Sequence, residues 1–230
     1  MTATVLHTPV LDALGERIAS GVAPAGSTLT LESIGAEFGV SRTVTREVMR
    51  MLESLGMVRS RRRVGIVVLP ADDWNVLDPR VIRWRLAGPG RVDQLRTLTE
   101  LRCAVEPLAA AGAARHATDD ARAELLSLAD RMRELGEAGR LEEFLELDVR
   151  MHAVLLRSSG NEMFAALTGV VAAVLAGRTH LGLMPHEPVD EALALHEEVA
   201  RAVSAADPVR AEAAMARLVG EVRTALDPLP

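Results

Sequence analysis

Gly39-Val40-Ser41-Arg42-Thr43-Val44-Thr45-Arg46-Glu47 is the stretch that decides the fold of this 230-residue chain. Gly39 fits the left-handed position just past a helix end, and Ser41 is a good N-cap for the helix that follows. Val44, Val48, Met51, Leu52 and Leu55 then recur at helical spacing, and Gly56 ends the run. This stripe leaves Arg42, Thr43, Thr45, Arg46 and Arg50 at or near the outer face, crowded toward the helix start. Upstream, Leu31–Phe38 predicts a helix with Leu31, Ile34 and Phe38 on one face, and Val10, Leu14 and Ile18 mark an earlier one closed by Gly21. Between them Ala23-Pro24-Ala25-Gly26-Ser27 is turn chemistry, and Thr28-Leu29-Thr30 reads as a short β piece. Downstream, Met57–Val68 reads as two short strands around the basic turn Arg61-Arg62-Arg63, closed by Gly65. Three helices followed by a β-hairpin make a winged helix-turn-helix.

The chemistry of that layout points to DNA. A recognition helix enters the major groove with its N-terminal residues at the base edges. Arginine and threonine there can meet guanine N7/O6, thymine methyls or phosphates. The wing arginines then neutralise phosphate charge, a contribution that weakens with salt. A helix-turn-helix pattern or an arginine run alone would be a weak signal; their combination at this spacing is specific.

The whole-chain charge of −6 hides this asymmetry. There is no lysine, and all 26 cations are arginine. Residues 1–70 hold eight arginines against six acids, whereas residues 71–230 hold 18 against 26. Within Ser41–Arg63 there are seven arginines and two glutamates. Two modules with different partners follow. The longest uncharged stretch, Met163–Gly177, falls short of the roughly 20 residues that cross a bilayer, so no membrane partner is expected. The N-terminus carries no secretory pattern, and a lone Cys103 suits a reducing cytoplasm.

The second module reads as an all-α antiparallel helix bundle. A linker helix around Trp74–Leu86, interrupted at Asp78-Pro79, is expected to fasten the two domains through its tryptophans, and Gly88-Pro89-Gly90 ends it. Helices are then predicted over Arg91–His116, from the Thr118 cap to about Glu137, over Leu141–Arg157, from the Asn161 cap to about Leu183, over Asp190–Ala205 after Pro185 and Pro188, and from Asp207-Pro208 onward. The chain is thus mainly α, with domains at 1–70, 71–90 and 91–230. Asp148 and His152, four apart, share one helix face, and His196 lies on a later helix. Imidazole and carboxylate ligands converging inside a bundle suit a divalent metal such as zinc; the other reading of the same residues is two partly buried histidines and an aspartate paired with an arginine.

The stretch Val40–Glu47, followed by Leu52-Glu53-Ser54-Leu55-Gly56-Met57-Val58 and Gly65, resembles the DNA-binding domain of GntR-type transcription factors. Ala23-Pro24-Ala25-Gly26 and Leu29 match that family's entry loop. The resemblance implies DNA contacts at Arg42, Thr43, Arg46 and the wing tip around Gly65. Two departures stand out: Val44 replaces a proline, and Ser33 stands where many members place a further phosphate-binding arginine, which shifts weight to Arg61–Arg63.

In the second module, Glu100-Leu101-Arg102, Glu106-Pro107-Leu108-Ala109-Ala110, Phe144, Leu147-Asp148, His152, Ser159-Gly160-Asn161, His196 and Asp207…Ala211…Met215 resemble the FCD effector domain of the FadR-like subfamily. Together the two resemblances span about residues 8–226. In that family an aspartate and three histidines hold a metal above a carboxylate-binding cavity, and Asp148, His152 and His196 match three of those positions. The fourth falls on Leu218, which cannot ligate; an extra water, His180, or a cavity working without metal are the alternatives. Arg102 is the expected partner of an effector carboxylate, since its planar fork makes bidentate contact; its alternative is a structural pair with Glu106 one turn on. Asn161, Arg178 and His180, with Thr179, are candidate readers of effector hydroxyls. Trp74–Leu86 is similar to the same segment in hexonate regulators of the galactonate and gluconate type, which favours a sugar acid. The expected protein is a homodimeric repressor that binds operator DNA and a small carboxylate, not an enzyme. A dimeric DNA binder without effector and a metal-dependent enzyme are the rival readings.

Overall fold

Side-chain caps set the ends of the first unit's helices. In a computed structural model that describes residues 3–180 and 190–226, Thr30 Oγ1 accepts from the Ser33 amide at 3.0 Å and Ser33 Oγ accepts from the Thr30 amide at 3.3 Å. This capping box starts helix α2 (Leu31–Phe38). Gly39 ends it at φ 63°, a left-handed conformation that a residue with a Cβ adopts only at a cost. Ser41 Oγ then accepts from the Val44 amide at 3.4 Å and opens α3 (Arg42–Ser54). Ser33, at the position where many GntR proteins carry arginine, is therefore engaged in a cap.

Helix α1 (Ala3–Ala19) packs on α3, and Leu14 of α1, Val48 and Leu52 of α3, its C-cap Leu55 and Ile34 of α2 share one buried core. The expected hairpin is present as β2 (Val58–Arg61) and β3 (Gly65–Val68), with Arg59 opposite Val67 and Arg61 opposite Gly65. Strand β1 (Thr28–Leu29) adds to the far edge of β3, giving the antiparallel order β1-β3-β2. After a short 3-10 turn at Ala71–Asp73, Asp78 caps α4 (Pro79–Ala87), which packs on α1. Trp84 lies across Gly15, where an added Cβ would come within 2.5 Å of the ring's Cε3, and its Nε1–H donates to Asp12 Oδ1 at 2.9 Å. Trp74 Nε1–H donates to the Leu69 carbonyl at 3.0 Å. Both tryptophans, expected to fasten two domains, are anchored inside the first unit, Met1–Arg91.

The second unit, Val92–Pro230, has helices as all the regular structure of its described residues: most of α5 (Arg91–His116), then α6 (Asp119–Glu137), α7 (Leu141–Ser158), α8 (Glu162–Ala166), α9 (Thr168–His180), α10 (Asp190–Ser204) and α11 (Pro208–Leu226). Helix α6 lies between α7 and α10, with α9 beyond α7 and α11 beyond α10. Helix α5 is buried on two sides, through Ala110, Ala113 and Ala114 toward α6, α10 and α11, and through Ala109 toward α7 and α9. Small alanines let neighbours approach from both directions, which is why α5 shows no one-sided apolar stripe. The helix expected to run unbroken from Asn161 is interrupted instead: α8 caps at Leu167, and Thr168 Oγ1–H donates back to the Ala165 carbonyl at 2.7 Å. Leu183, Pro185 and Pro188, on which the far end of that helix was read, lie outside the described residues. No described helix is long and apolar enough to cross a membrane.

Trp84→Ala should destabilise the first unit by about 3–5 kcal/mol, because it removes the ring over Gly15 and leaves Asp12 without its donor. Urea unfolding monitored by Trp74 fluorescence measures this.

Candidate functional site

Two sets of side chains, one in each unit, carry the chemistry. In the first unit, α2, α3 and the wing enclose a cleft of about 530 Å³ whose lining includes Arg42, Arg46, Arg50, Arg61, Glu32 and Gly65. Arg42, Thr43, Arg46 and Arg50 are exposed, as are Arg61, Arg62 and Arg63 at the wing. Glu53 Oε1 accepts from the Ser60 amide at 2.9 Å, tying the end of α3 to the start of the wing. Arg63 holds φ 64° and Gly65 φ 112°, so the basic turn is sharply folded. Not every arginine in the cleft is unpaired: Arg42 Nη2 donates to Glu32 Oε1 at 2.8 Å, and Arg50 Nη1 lies 3.5 Å from Glu47 Oε2.

Thr45 departs from the sequence reading. It is 0% exposed, and its hydroxyl donates to the Ser41 carbonyl at 3.1 Å. A threonine whose hydroxyl bonds back to residue i−4 is satisfied within the helix and can face the core. Thr45 therefore belongs to the packing of α3 and cannot reach a base.

In the second unit, buried charges converge from α5, α7, α9 and α10. Arg102 and Glu106, 3% and 2% exposed, form a bidentate pair: Nε donates to Oε1 at 2.6 Å and Nη2 to Oε2 at 3.3 Å. Glu106 Oε2 also lies 2.6 Å from His152 Nδ1, an ion-pair contact between two buried groups. His152 Nε2 and His196 Nε2 each lie 3.2 Å from Asp148 Oδ1. His196 Nδ1–H donates to the Ala192 carbonyl at 2.7 Å, and Phe144 packs edge-on against the same ring.

Electrostatics follow from this geometry. Burial pushes the Glu106 carboxyl up, but the charges of Arg102 and His152 outweigh it and hold the group at about 2. Burial likewise opposes ionisation of Asp148, and the imidazoles of His152 and His196 beside it hold it well below the usual carboxylate range. His152, caught between two carboxylates, is raised to about 9 against the penalty of its burial. Arg178 is pushed down to about 10, by burial and then by the charge of Arg102.

The three residues Asp148, His152 and His196 offer ligand atoms within 4.8 Å of one another. The donor set fits a divalent metal. A carbonyl only accepts, so the Nδ1 of His196 carries its proton and a neutral ring presents a lone pair at Nε2 to Asp148 Oδ1, which also carries lone pairs. Two acceptors at 3.2 Å are reconciled by a proton or by a cation. Among the described residues the cluster has three members. Leu218 is buried in the apolar core, and His180, 60% exposed at the end of α9, lies 3.5 Å from Glu142 Oε2; His180 does not supply the fourth ligand.

The candidate effector residues divide. Arg102 keeps Nη1 buried without a hydrogen-bond partner, and Arg178 keeps Nε buried in the same state. Both feel the charges of Glu106 and Asp148. Asn161 is exposed, and its Oδ1 accepts from the Met163 amide at 2.9 Å as the cap of α8; His180 is on the surface, and the Thr179 hydroxyl donates to the Leu175 carbonyl at 3.2 Å. The sequence reading missed Glu106 as a member of the site, having placed it only as a partner of Arg102. It also missed Thr99, whose buried Oγ1 is without a hydrogen-bond partner one turn before Arg102. The spacing of 99, 102 and 106 along one helix face was the available signal.

A basic cleft on a winged helix-turn-helix and a buried polar centre in a helical bundle define a DNA-binding regulator with a sensor domain. The chain belongs to the GntR family of bacterial transcription regulators: residues 6–68 match the family described as bacterial regulatory proteins, gntR family, and residues 97–221 match the FCD domain. It is a regulator, not an enzyme. It is 32% identical over 162 residues to the galactonate operon transcriptional repressor of Escherichia coli K12, covering 70% of each chain. It is 30% identical over 195 residues to the uncharacterized HTH-type transcriptional regulator YieP of the same organism, covering 84% of each. A solved structure of a Streptococcus agalactiae GntR protein shares the fold with a TM-score of 0.52 at 24% identity, over 95% of this chain and 99% of that one.

Arg102→Ala should cost about 3–5 kcal/mol, because Glu106 is left buried without its guanidinium. The double substitution Arg102→Ala, Glu106→Gln should cost less than Arg102→Ala alone. Urea unfolding followed by helical circular dichroism separates the two.

Proposed function

We propose that this protein is a homodimeric repressor that binds operator DNA through the cleft between α3 and the wing and releases it on binding a small carboxylate. Arg46, unpaired among the described residues, and the exposed Arg42, Thr43 and Arg50 contact base edges and phosphates; Arg61, Arg62, Arg63 and the tight turn at Gly65 follow the backbone. In the helical unit, Asp148, His152 and His196 hold one divalent metal ion such as zinc. When bound, the metal supplies a positive centre with positions left for a carboxylate or hydroxyl oxygen. Arg102 and Arg178 bind the effector carboxylate, and Thr99 meets a hydroxyl.

The observation that carries this reading is the pair of buried guanidinium nitrogens, Arg102 Nη1 and Arg178 Nε, without hydrogen-bond partners beside a metal-type cluster. Buried donors are normally satisfied, and exceptions mark ligand sites or strain. An anion that entered here would supply an acceptor that such donors lack. A sugar acid is the effector class we favour, from the resemblance of Trp74–Leu86 to hexonate regulators and the likeness to a galactonate operon repressor. The effector acts only through its different affinities for the DNA-competent and DNA-incompetent states.

Fluorescence anisotropy with DNA from upstream of the protein's own gene tests the reading. Arg46→Ala and Arg61→Ala should each weaken binding, and loss of a phosphate contact should reduce the slope of log affinity against log salt by about 0.9. Galactonate or gluconate should lower DNA affinity, and Arg178→Gln should abolish that response. Binding unaffected by Arg46→Ala would contradict the assignment of the reading helix.

Zinc-loaded protein should melt at higher temperature than chelator-treated protein, and His196→Ala should remove the difference. At 100 times its dissociation constant, free zinc stabilises by about 2.7 kcal/mol.

A further inference from the structure

Glu106 occupies a position that neither half of the site explains alone. Its Oε1 accepts from Arg102 Nε at 2.6 Å. Its Oε2 faces Arg102 Nη2 at 3.3 Å and His152 Nδ1 at 2.6 Å. The same carboxylate thus touches the arginine that offers a buried, unpartnered Nη1 and the histidine whose other nitrogen faces Asp148. It is 2% exposed, so water does not screen either contact. A simple salt bridge would account for the Arg102 side of this arrangement but not for the histidine.

We infer that Glu106 is a positioning residue shared by the metal and effector sites, and that it couples their affinities. This rests on the metal and effector reading above and adds its regulation. A carboxylate at the outer nitrogen of a metal-binding histidine orients the ring and raises the basicity of the ligating nitrogen. How strongly Glu106 does this depends on how far Arg102 neutralises it. An anion that engages Arg102 through Nη1 draws positive charge away from Glu106, leaves the carboxylate more negative toward His152, and so tightens the metal. By reciprocity the bound metal tightens the anion by the same factor.

The test is zinc affinity of the full-length protein, measured by chelator competition, for wild type, Glu106→Gln, Arg102→Gln, Arg178→Gln, and the doubles Arg102→Gln/Glu106→Gln and Arg178→Gln/Glu106→Gln. Glu106→Gln should weaken zinc by about 10-fold or more. Arg102→Gln should tighten zinc in the wild-type background and by clearly less once Glu106 is glutamine, where only its through-space charge is lost. Arg178→Gln removes a cation that acts on the site through space only, so its effect should be equal in both backgrounds. Removing a cation anywhere near the metal tightens zinc by simple electrostatics; a smaller Arg102 effect without Glu106, beside an unchanged Arg178 effect, is what identifies Glu106 as the link. Should Glu106→Gln fail to fold, the comparison of Arg102→Gln with the Arg102→Gln/Glu106→Gln double, which buries no unpaired arginine, reads the support Glu106 gives the metal: a double about 10-fold weaker is expected, and equal affinities refute the inference. An equal Arg102 effect in both backgrounds, or a Glu106→Gln affinity within threefold of wild type, overturns the inference and leaves the metal site standing. Wild-type protein that binds no zinc overturns the metal reading and this inference with it.

Discussion

The helical unit is organised around two carboxylates that are fully withdrawn from water. Glu106 sits between Arg102 and His152, and Asp148 between His152 and His196. Each carboxylate is held ionised by its neighbours against the penalty of burial. Residues from α5, α7 and α10 must meet at one point for this to hold, so the charge chain fixes how those helices pack. Such a chain is a poor way to gain stability, because well-packed apolar residues serve a core equally well. Leu218, within the apolar core, shows what the bundle does where no polar group is needed. Arg102 Nη1 and Arg178 Nε, buried without hydrogen-bond partners beside the chain, are donors that the core itself does not satisfy.

The first unit solves a different electrostatic problem. Its reading surface is rich in arginine, yet acidic residues are interleaved with it. Glu32 pairs with Arg42, Glu47 with Arg50, and Glu53 anchors the wing backbone. The first two pairs are exposed and contribute little to stability. Their effect is to reduce the unpaired positive charge of the free protein, leaving Arg46 and the wing as its main source. The net charge of −6 is therefore a sum over a basic reader and an acidic sensor, and it describes neither.

Several element ends were legible in the sequence as side-chain caps. Ser41, Thr118 and Asn161 each accept a backbone hydrogen bond at a helix start, and Gly39 takes the left-handed turn its type allows; Thr30, read as part of a β piece, proves to cap α2. The break at Leu167 was not legible, because no glycine or proline marks it and Thr168 closes it by a local bond to Ala165. The same local chemistry misled the reading of Thr45, a polar residue whose hydroxyl is satisfied inside its own helix. Asn161 was visible both as a cap and as a candidate ligand reader; its exposed side chain serves the first role. Asp148 and His152 were legible as a pair from their spacing, with His196 added from a later helix and strengthened by the family likeness, and the structure brings the three together. The contact from Glu106 to His152 was not legible, since an Arg-Glu pair four apart looks like any helical surface pair until the neighbouring helix is in place.

X-ray absorption at the zinc edge of zinc-loaded full-length protein shows whether the buried charge chain is a metal centre built from Asp148, His152 and His196. A first shell of nitrogen and oxygen with scattering from two imidazoles is expected, reduced to one imidazole in His196→Ala. A sulfur ligand from Cys103, or a spectrum unchanged by His196→Ala, would contradict it.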